Sequence, residues 1–485
     1  MTRKRFLKHT NRELAFIILY FALYFIIGLS LIFRQPFGDP PDELNRYLIP
    51  QYIAQHDALP NGYEESIRIP GYGFSYAFQP ILPYMIQGYC MRIVQLFTQN
   101  ADILFYSARL VNFVFGLIMA VFVLLLGQKW FTDKRLQYFF CFLTMFLPQS
   151  IFLHTYVNTD SCCMMSTAIM LYGLTRCLED HFAYSSCIVM SIGIIFCALS
   201  YYNAYSFILS CILLFIAHYL SCQNGRLRLD WRPFFRKGLF VSVLVLMGIG
   251  WWFIRSYILY DGDILGLHTR DLCGALYGSE AMDPAVRVTY KSLGYTIFSI
   301  LFKSDFVVLS VNSFICTYGA MRITTALWIY RFYKLLFAVG ILGNLIPSAL
   351  FLRRGAGRRG NECRETEHRE TARPALRAFF HANMILCILV PCILSLSYSY
   401  GTDYQPQGRY LMPALLPLCF YCVRGVDRGV QYVRRALCLR RKTDAGEHGS
   451  SSRLPAFCYA ALTFVIIIAL CVTVYGYVFP YYAGI

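Results

Sequence analysis

Eleven apolar stretches recur along this chain, at about 14–33, 105–127, 136–154, 160–177, 184–201, 203–222, 238–257, 323–352, 379–398, 410–423 and 455–479. A helix needs about 20 mostly apolar residues to cross a hydrocarbon core of ~30 Å. Within lipid only helices and closed barrels satisfy their own backbone, and barrel strands are shorter and alternate in polarity. The expected fold is therefore all-α and polytopic, with about eleven transmembrane helices in a single integral membrane domain, residues 1–485. Only 15% of the residues are charged against 57% hydrophobic, yet 44 Lys+Arg face 27 Asp+Glu, a net charge of +17. Nucleic-acid binders carry such charge among many polar residues, so no nucleic-acid partner is expected. Most of the 19 Cys lie in apolar runs, among them Cys141, Cys187, Cys197, Cys211, Cys387 and Cys471. They read as small core residues rather than a disulfide scaffold.

Arginine and lysine set the orientation. The first run is longer than a signal-peptide core and ends at Arg34-Gln35-Pro36 without a small-residue cleavage site, so it is expected to be a retained helix. Residues 79–97 are the ambiguous stretch. Placed in the interface, with Gln87 and Arg92 turned to water, they leave 30 of the 44 Lys+Arg in one set of alternate segments: the N-terminal tail, 128–135, 178–183, 223–237, 353–378 and 424–454, with Arg176. Cytoplasmic enrichment of Lys and Arg then makes the N-terminus cytoplasmic and the C-terminus external. The external portions are a first loop (34–104), short turns, a large loop (258–322) and residues 399–409. Reading 79–97 as a twelfth span would reverse everything after it. The basic stretches 353–378 and 424–454 read as cytoplasmic loops.

Chemistry is expected in the external loops. Asp39-Pro40-Pro41-Asp42-Glu43-Leu44-Asn45-Arg46 places three carboxylates within five residues beside the first helix. Prolines fix the backbone there. Acidic groups at a membrane surface suit a general base, a metal ligand or a cation site. A helix start, with Asp42 as N-cap and Glu43 in the first turn, is the alternative. Arg109, Arg255 and Arg409 fall at external helix ends, where guanidinium groups suit bidentate phosphate binding; each alone could equally snorkel.

Taken together, Pro41-Asp42-Glu43 after the first helix, Ala108-Arg109, Asn158-Thr159-Asp160 and Gln407-Gly408-Arg409-Tyr410-Leu411-Met412-Pro413 resemble the GT-C superfamily of membrane glycosyltransferases. More narrowly they resemble a bacterial family of integral membrane proteins with the same Pro-Asp-Glu and Gly-Arg-Tyr signatures. The resemblance implies interfacial helices in the first external loop and a location in the bacterial cell (inner) membrane. It implies a polyprenyl-phosphate-linked sugar as donor and a cell-surface glycan, lipid or protein as acceptor. It carries the base role onto Asp42 or Glu43, with Asp39 third. Asp160 becomes an acceptor-orienting carboxylate, with an N-cap for the following helix as the alternative. Arg109, Arg255, Arg409, Asn158, Tyr410 and Gln407 become substrate-binding residues. No cofactor is certain; a divalent cation held by Asp42, Glu43 and Asp160 is left open. Where the family usually shows Asn and Gly, this chain has Ser256 and Asp261, and Asp261 and Asp263 read as a turn or a cation pair.

Cys419-Phe420-Tyr421-Cys422 lies in an apolar run without partner ligands, so zinc is not expected. Tyr63, Tyr72, Tyr76 and Tyr84 suit sugar stacking or an interfacial belt. The expected activity is an inverting glycosyl transfer on the external face. A transporter or flippase, which would need ionisable groups at mid-membrane, and a polysaccharide polymerase or ligase are the alternatives.

Overall fold

The computed structural model describes residues 11–223, 226–280, 283, 286–346, 374–441 and 454–484. The structure runs α1 (Asn11–Arg34), α2 (Glu43–His56), α3 (Leu82–Gln95), α4 (Ala101–Trp130), α5 (Lys134–Met145), α6 (Pro148–Leu153), α7 (Asp160–Glu179), α8 (Tyr184–Ala198) and α9 (Tyr205–Tyr219). A hairpin of β1 (Leu220–Gln223) and β2 (Arg226–Leu229) follows, pairing Leu220 with Leu229. Then come α10 (Trp231–Leu259), α11 (Leu267–Tyr277), α12 (Ile297–Lys303), α13 (Phe306–Cys316), α14 (Leu327–Gly343), α15 (Pro374–Gly401), α16 (Leu415–Arg441), α17 (Leu454–Thr473) and α18 (Phe479–Ala483).

Each of the eleven apolar stretches contains helix among its described residues, but not all are spans by length and composition. Among the described residues seven helices are long and apolar enough to cross a membrane, or eight if a bent pair counts as one. Pro148 follows the break that divides 136–154 into α5 and α6, since a proline clashes with the turn before it. The stretch 203–222 stops at Tyr219 and turns into the hairpin. The stretch 410–423 opens with a 3₁₀ turn at Gly408–Ala414, and its helix runs on to Arg441, so the first half of the supposed basic loop is helix. The bent pair is α12 and α13, meeting at 67°, inside what the sequence presents as a large external loop. The basic tail before residue 11, and most of 353–378 and 442–453, lie outside the described residues.

Residues 82–95 form a helix of 14 residues, about 21 Å at 1.5 Å per residue, too short to cross. It packs on α2 and α4. Arg92 is exposed as expected, but Gln87 is fully buried and donates to Asn112 Oδ1 at 2.7 Å, which corrects its assignment to water. Small residues allow the closest helix approaches, as lipid-embedded bundles require. A Cβ on Gly173 of α7 would lie 2.5 Å from Met190 N of α8, and one on Gly193 of α8 would lie 2.6 Å from Met170 N. The Cys residues named above are buried and unbridged, apart from half-buried Cys471.

The two ends of the bundle differ. At one end α1 stops, α4 and α7 begin, and Gly408–Ala414 leads into α16. Gln35 Nε2 donates to Thr155 Oγ1 at 2.8 Å there. At the other end Lys134 pairs with Glu13 at 3.2 Å and Lys129 pairs with Glu179. The motif residues thus collect at one end and these two Lys–Glu pairs stand at the other.

Candidate active site

Glu43, the first helical residue of α2, is 0% exposed, and so is Arg109 of α4. Arg109 Nε and Nη2 fork onto the two carboxylate oxygens at 2.8 and 2.6 Å. Its Nη1 donates to Ile32 O and Gln35 O, both at 2.8 Å, and Nη2 also donates to Pro36 O at 3.2 Å. A guanidinium has five N–H donors, and all five are spent on the protein. Glu43 is equally full, accepting further bonds from Val157 N at 3.0 Å and Gly38 N at 3.2 Å. This pair ties the end of α1 to the start of α2 and to the turn before α7.

Asp42, one residue earlier, faces the other way. It stands at the N-cap position of α2 in the left-handed region (φ 61°) and makes no capping bond. Aspartate tolerates that region better than most residues. Its side chain is 32% exposed and ion-paired to Arg409, which is itself 3% exposed. Arg409 also donates to Pro41 O at 3.3 Å and Tyr410 Oη at 3.1 Å, and its Nε is buried without a partner. Asp403, the nearby carboxylate, accepts from Gln405 instead. Burial alone would raise the Asp42 carboxyl, but the Arg409 and Arg46 charges, with hydrogen bonds from Arg409 and Tyr76, hold it below its usual range.

Arg46 is the residue the motif reading passed over. It is buried, 3.8 Å from Asp42 Oδ2 and 3.7 Å from Asp160 Oδ2, and it donates to Thr159 Oγ1 at 3.1 Å. Its ring neighbour is Tyr76, 5.1 Å from the guanidinium carbon. The signal was present in the spacing: residues four apart on a helix share a face, so an arginine at 46 follows Asp42 on α2. Asp160 opens α7, is 2% exposed, and leaves Oδ2 without a hydrogen bond. It is not the cap of α7, because Asn158 Oδ1 takes Ser161 N at 2.9 Å.

Several expected ligands face elsewhere. Asn158 spends both amide protons on Leu153 O and Tyr156 O, at 2.8 and 2.9 Å. Asp39 accepts from Tyr482 at the end of the chain, 3.0 Å away. Arg255 holds Pro60 O at 2.7 Å and stacks on Trp252, so it braces the first loop. Asp263 accepts from Gly266 N and Thr269 N, which makes it a turn and helix-start residue. Gln407 precedes the 3₁₀ turn with its Oε1 buried and unpartnered, and Tyr410 Oη bonds Gln405. Tyr156 Oη, fully buried, is also unpartnered.

A divalent cation does not fit the carboxylates named for it. Glu43 has no free lone pair towards the site, and guanidinium groups stand against Asp42 and Asp160. Among the described residues no three His, Cys, Asp or Glu side chains form a metal-binding group. What remains is one reachable carboxylate, a second buried one, and two buried arginines with unpartnered Nε atoms.

Residues 52–266 match a family described as "Predicted membrane protein (DUF2142)". That stretch holds Arg109, Asp160 and Arg255 and leaves Asp42 and Arg409 outside it. No curated protein sequence matches the chain. Among solved structures, ArnT from Cupriavidus metallidurans bound to undecaprenyl phosphate is 12% identical with a TM-score of 0.50, over 94% of this chain and 70% of that one. The oligosaccharyltransferase AglB from Archaeoglobus fulgidus, in complex with an inhibitory peptide and a dolichol-phosphate, is 12% identical with a TM-score of 0.48, over 93% of this chain and 55% of that one. The chain thus spans little more than half the length of the archaeal protein. The likeness to the ArnT structure is one of fold: this is an all-α polytopic membrane protein.

Proposed function

We propose that this chain is a membrane glycosyltransferase that moves a sugar from a polyprenyl-phosphate donor to a cell-surface glycan, lipid or protein on the external face of the bacterial inner membrane. The observation that carries this reading is the pairing of a reachable carboxylate, Asp42, with a buried arginine, Arg409, at the end of a GT-C-type bundle. Phosphate is already a good leaving group, so the protein's tasks are to take a proton from the nucleophile and to hold phosphate charge.

In the proposed step the acceptor hydroxyl oxygen attacks the anomeric carbon from the face opposite the phosphate. The new C–O bond forms as the bond to the phosphate oxygen breaks, its electron pair leaving with the polyprenyl phosphate. The hydroxyl proton passes to Asp42. Arg409 and Arg46 face the phosphate, and Asp160, whose Oδ2 lies 3.7 Å from Arg46 but makes no hydrogen bond, orients the acceptor. Glu43 and Arg109 hold the backbone of this loop and touch no substrate. The configuration inverts because displacement is single.

Purified full-length protein mixed with polyprenyl-phosphate sugars and membrane glycan acceptors tests the reading. Transfer by the unaltered chain and its loss in Asp42→Asn are expected. Full transfer by Asp42→Asn would remove Asp42 from the base role. Translocation of lipid-linked sugar in proteoliposomes with no transfer to any acceptor would favour transport instead.

A further inference from the structure

We infer that Asp42 and the donor phosphate are alternative partners of one guanidinium, that of Arg409, so that donor binding releases the carboxylate that accepts the proton. This rests on the transferase reading above and adds to it an order of events.

Arg409 cannot move away from the site. Its turn is pressed against α13, where a Cβ on Gly408 would fall 2.0 Å from Phe314 N, and Gly408 N donates to Ser313 Oγ. The side chain is buried, and a buried guanidinium without an anion is strongly unfavourable. Yet its fork is only part-used. It meets a single oxygen of Asp42, and its Nε has no partner. Arg109, which has no second task, meets both oxygens of its carboxylate and leaves no donor idle. A tetrahedral phosphate offers the oxygens that Arg409 lacks.

Asp42 is the partner able to leave. Its side chain is one-third exposed, whereas Arg409 is sealed. Its strained left-handed backbone is imposed by neighbours, with Glu43 locked to Arg109 on one side and Asp39 tied to Tyr482 on the other. Once turned from Arg409 it still has Tyr76 as hydrogen-bond donor and Arg46 at close range. In the resting protein Asp42 neutralises a buried cation and is a poor base, because a neighbouring cation favours the ionised form. When the donor phosphate takes over that cation, the carboxylate recovers its basicity beside the reacting centre. The base is thus competent only with donor in place, and donor precedes acceptor.

The test is equilibrium binding of undecaprenyl phosphate to the purified full-length chain, for the unaltered protein and for Asp42→Asn, Asp42→Ala, Arg409→Gln and the double variant Asp42→Asn/Arg409→Gln. Removing a competing charge-assisted bond should tighten binding by about tenfold in both Asp42 variants. The double variant should lose that gain. The near-isosteric Asn variant carries the result if the Ala variant fails to fold. Unchanged or weaker binding in folded Asp42→Asn, with Arg409→Gln weak, overturns the exchange while leaving Arg409 as a phosphate ligand. Binding by Arg409→Gln as tight as in the unaltered chain overturns the exchange together with the phosphate role proposed for Arg409.

Discussion

Two neighbouring carboxylates meet two arginines in opposite ways. Glu43 and Arg109 form a closed pair, both 0% exposed, with every guanidinium donor spent. Asp42 and Arg409 form an open one, with a one-third exposed carboxylate and an idle Nε. A saturated buried pair rigidifies what surrounds it, whereas an unsaturated pair leaves interactions available to a ligand. On the proposed function, the difference separates scaffold from chemistry within two adjacent residues.

The largest effect should come from breaking the closed pair. Arg109→Ala or Glu43→Ala leaves an uncompensated buried charge, a loss of about 3–5 kcal/mol, to be read as a fall in thermal stability of the purified protein. Asp42→Asn leaves buried Arg409 without its anion, but the carboxylate it replaces is partly exposed and the amide can still accept a hydrogen bond, so a smaller fall in the same melt is expected. Equal destabilisation by the two changes would erase the distinction. Next comes turnover: Asp42→Asn should lower it about 10²- to 10⁴-fold, the range for a general base, measured below the melting temperature of the variant. Arg409→Lys keeps the charge and loses the planar fork, so a smaller drop, about tenfold, is expected, carried mainly by the donor KM.

The subtlest test is pH. The Asp42 carboxyl is held below its ordinary range by Arg409, Arg46 and Tyr76, so it stays ionised as pH falls through the usual carboxylate value near 4. The acid limb of kcat/KM for the donor, which reports free enzyme, should therefore lie below that value. The stability that Asp42 contributes is likewise present above its unfolded value and lost only as pH falls through the lowered one. If the phosphate takes Arg409, the acid limb of kcat, which reports the bound complex, should shift upward. Coincident limbs would argue against the exchange.

Much of this was legible in the sequence. Charge counting places residues 79–97 in the interface, and the helix there, Leu82–Gln95, is too short to cross. Asp42, Asp160 and Arg409 were singled out by motif and do converge. What motif reading could not see was direction. Arg109 and Asn158 lie beside the site but turn inward, because helix ends next to the site have backbone carbonyls and amides to satisfy first. The spacing of Arg46 from Asp42 marks a shared helix face, but nothing in the sequence marks that face as part of the site until Thr159 and Asp160 pack against it. The bend between α12 and α13 was missed because Ser304 and Asp305 interrupt an apolar run that reads as loop.

By itself the sequence determined the class of fold, because the cost of placing backbone in hydrocarbon depends on local composition and length. Only the tertiary structure decided which arginine each carboxylate meets. Asp42 lies 367 residues from Arg409 and Glu43 lies 66 from Arg109. Such pairings depend on helix ends brought together by packing, and two adjacent side chains at a turn point to opposite sides of it. That geometry makes Glu43 part of the frame and leaves Asp42 facing the site.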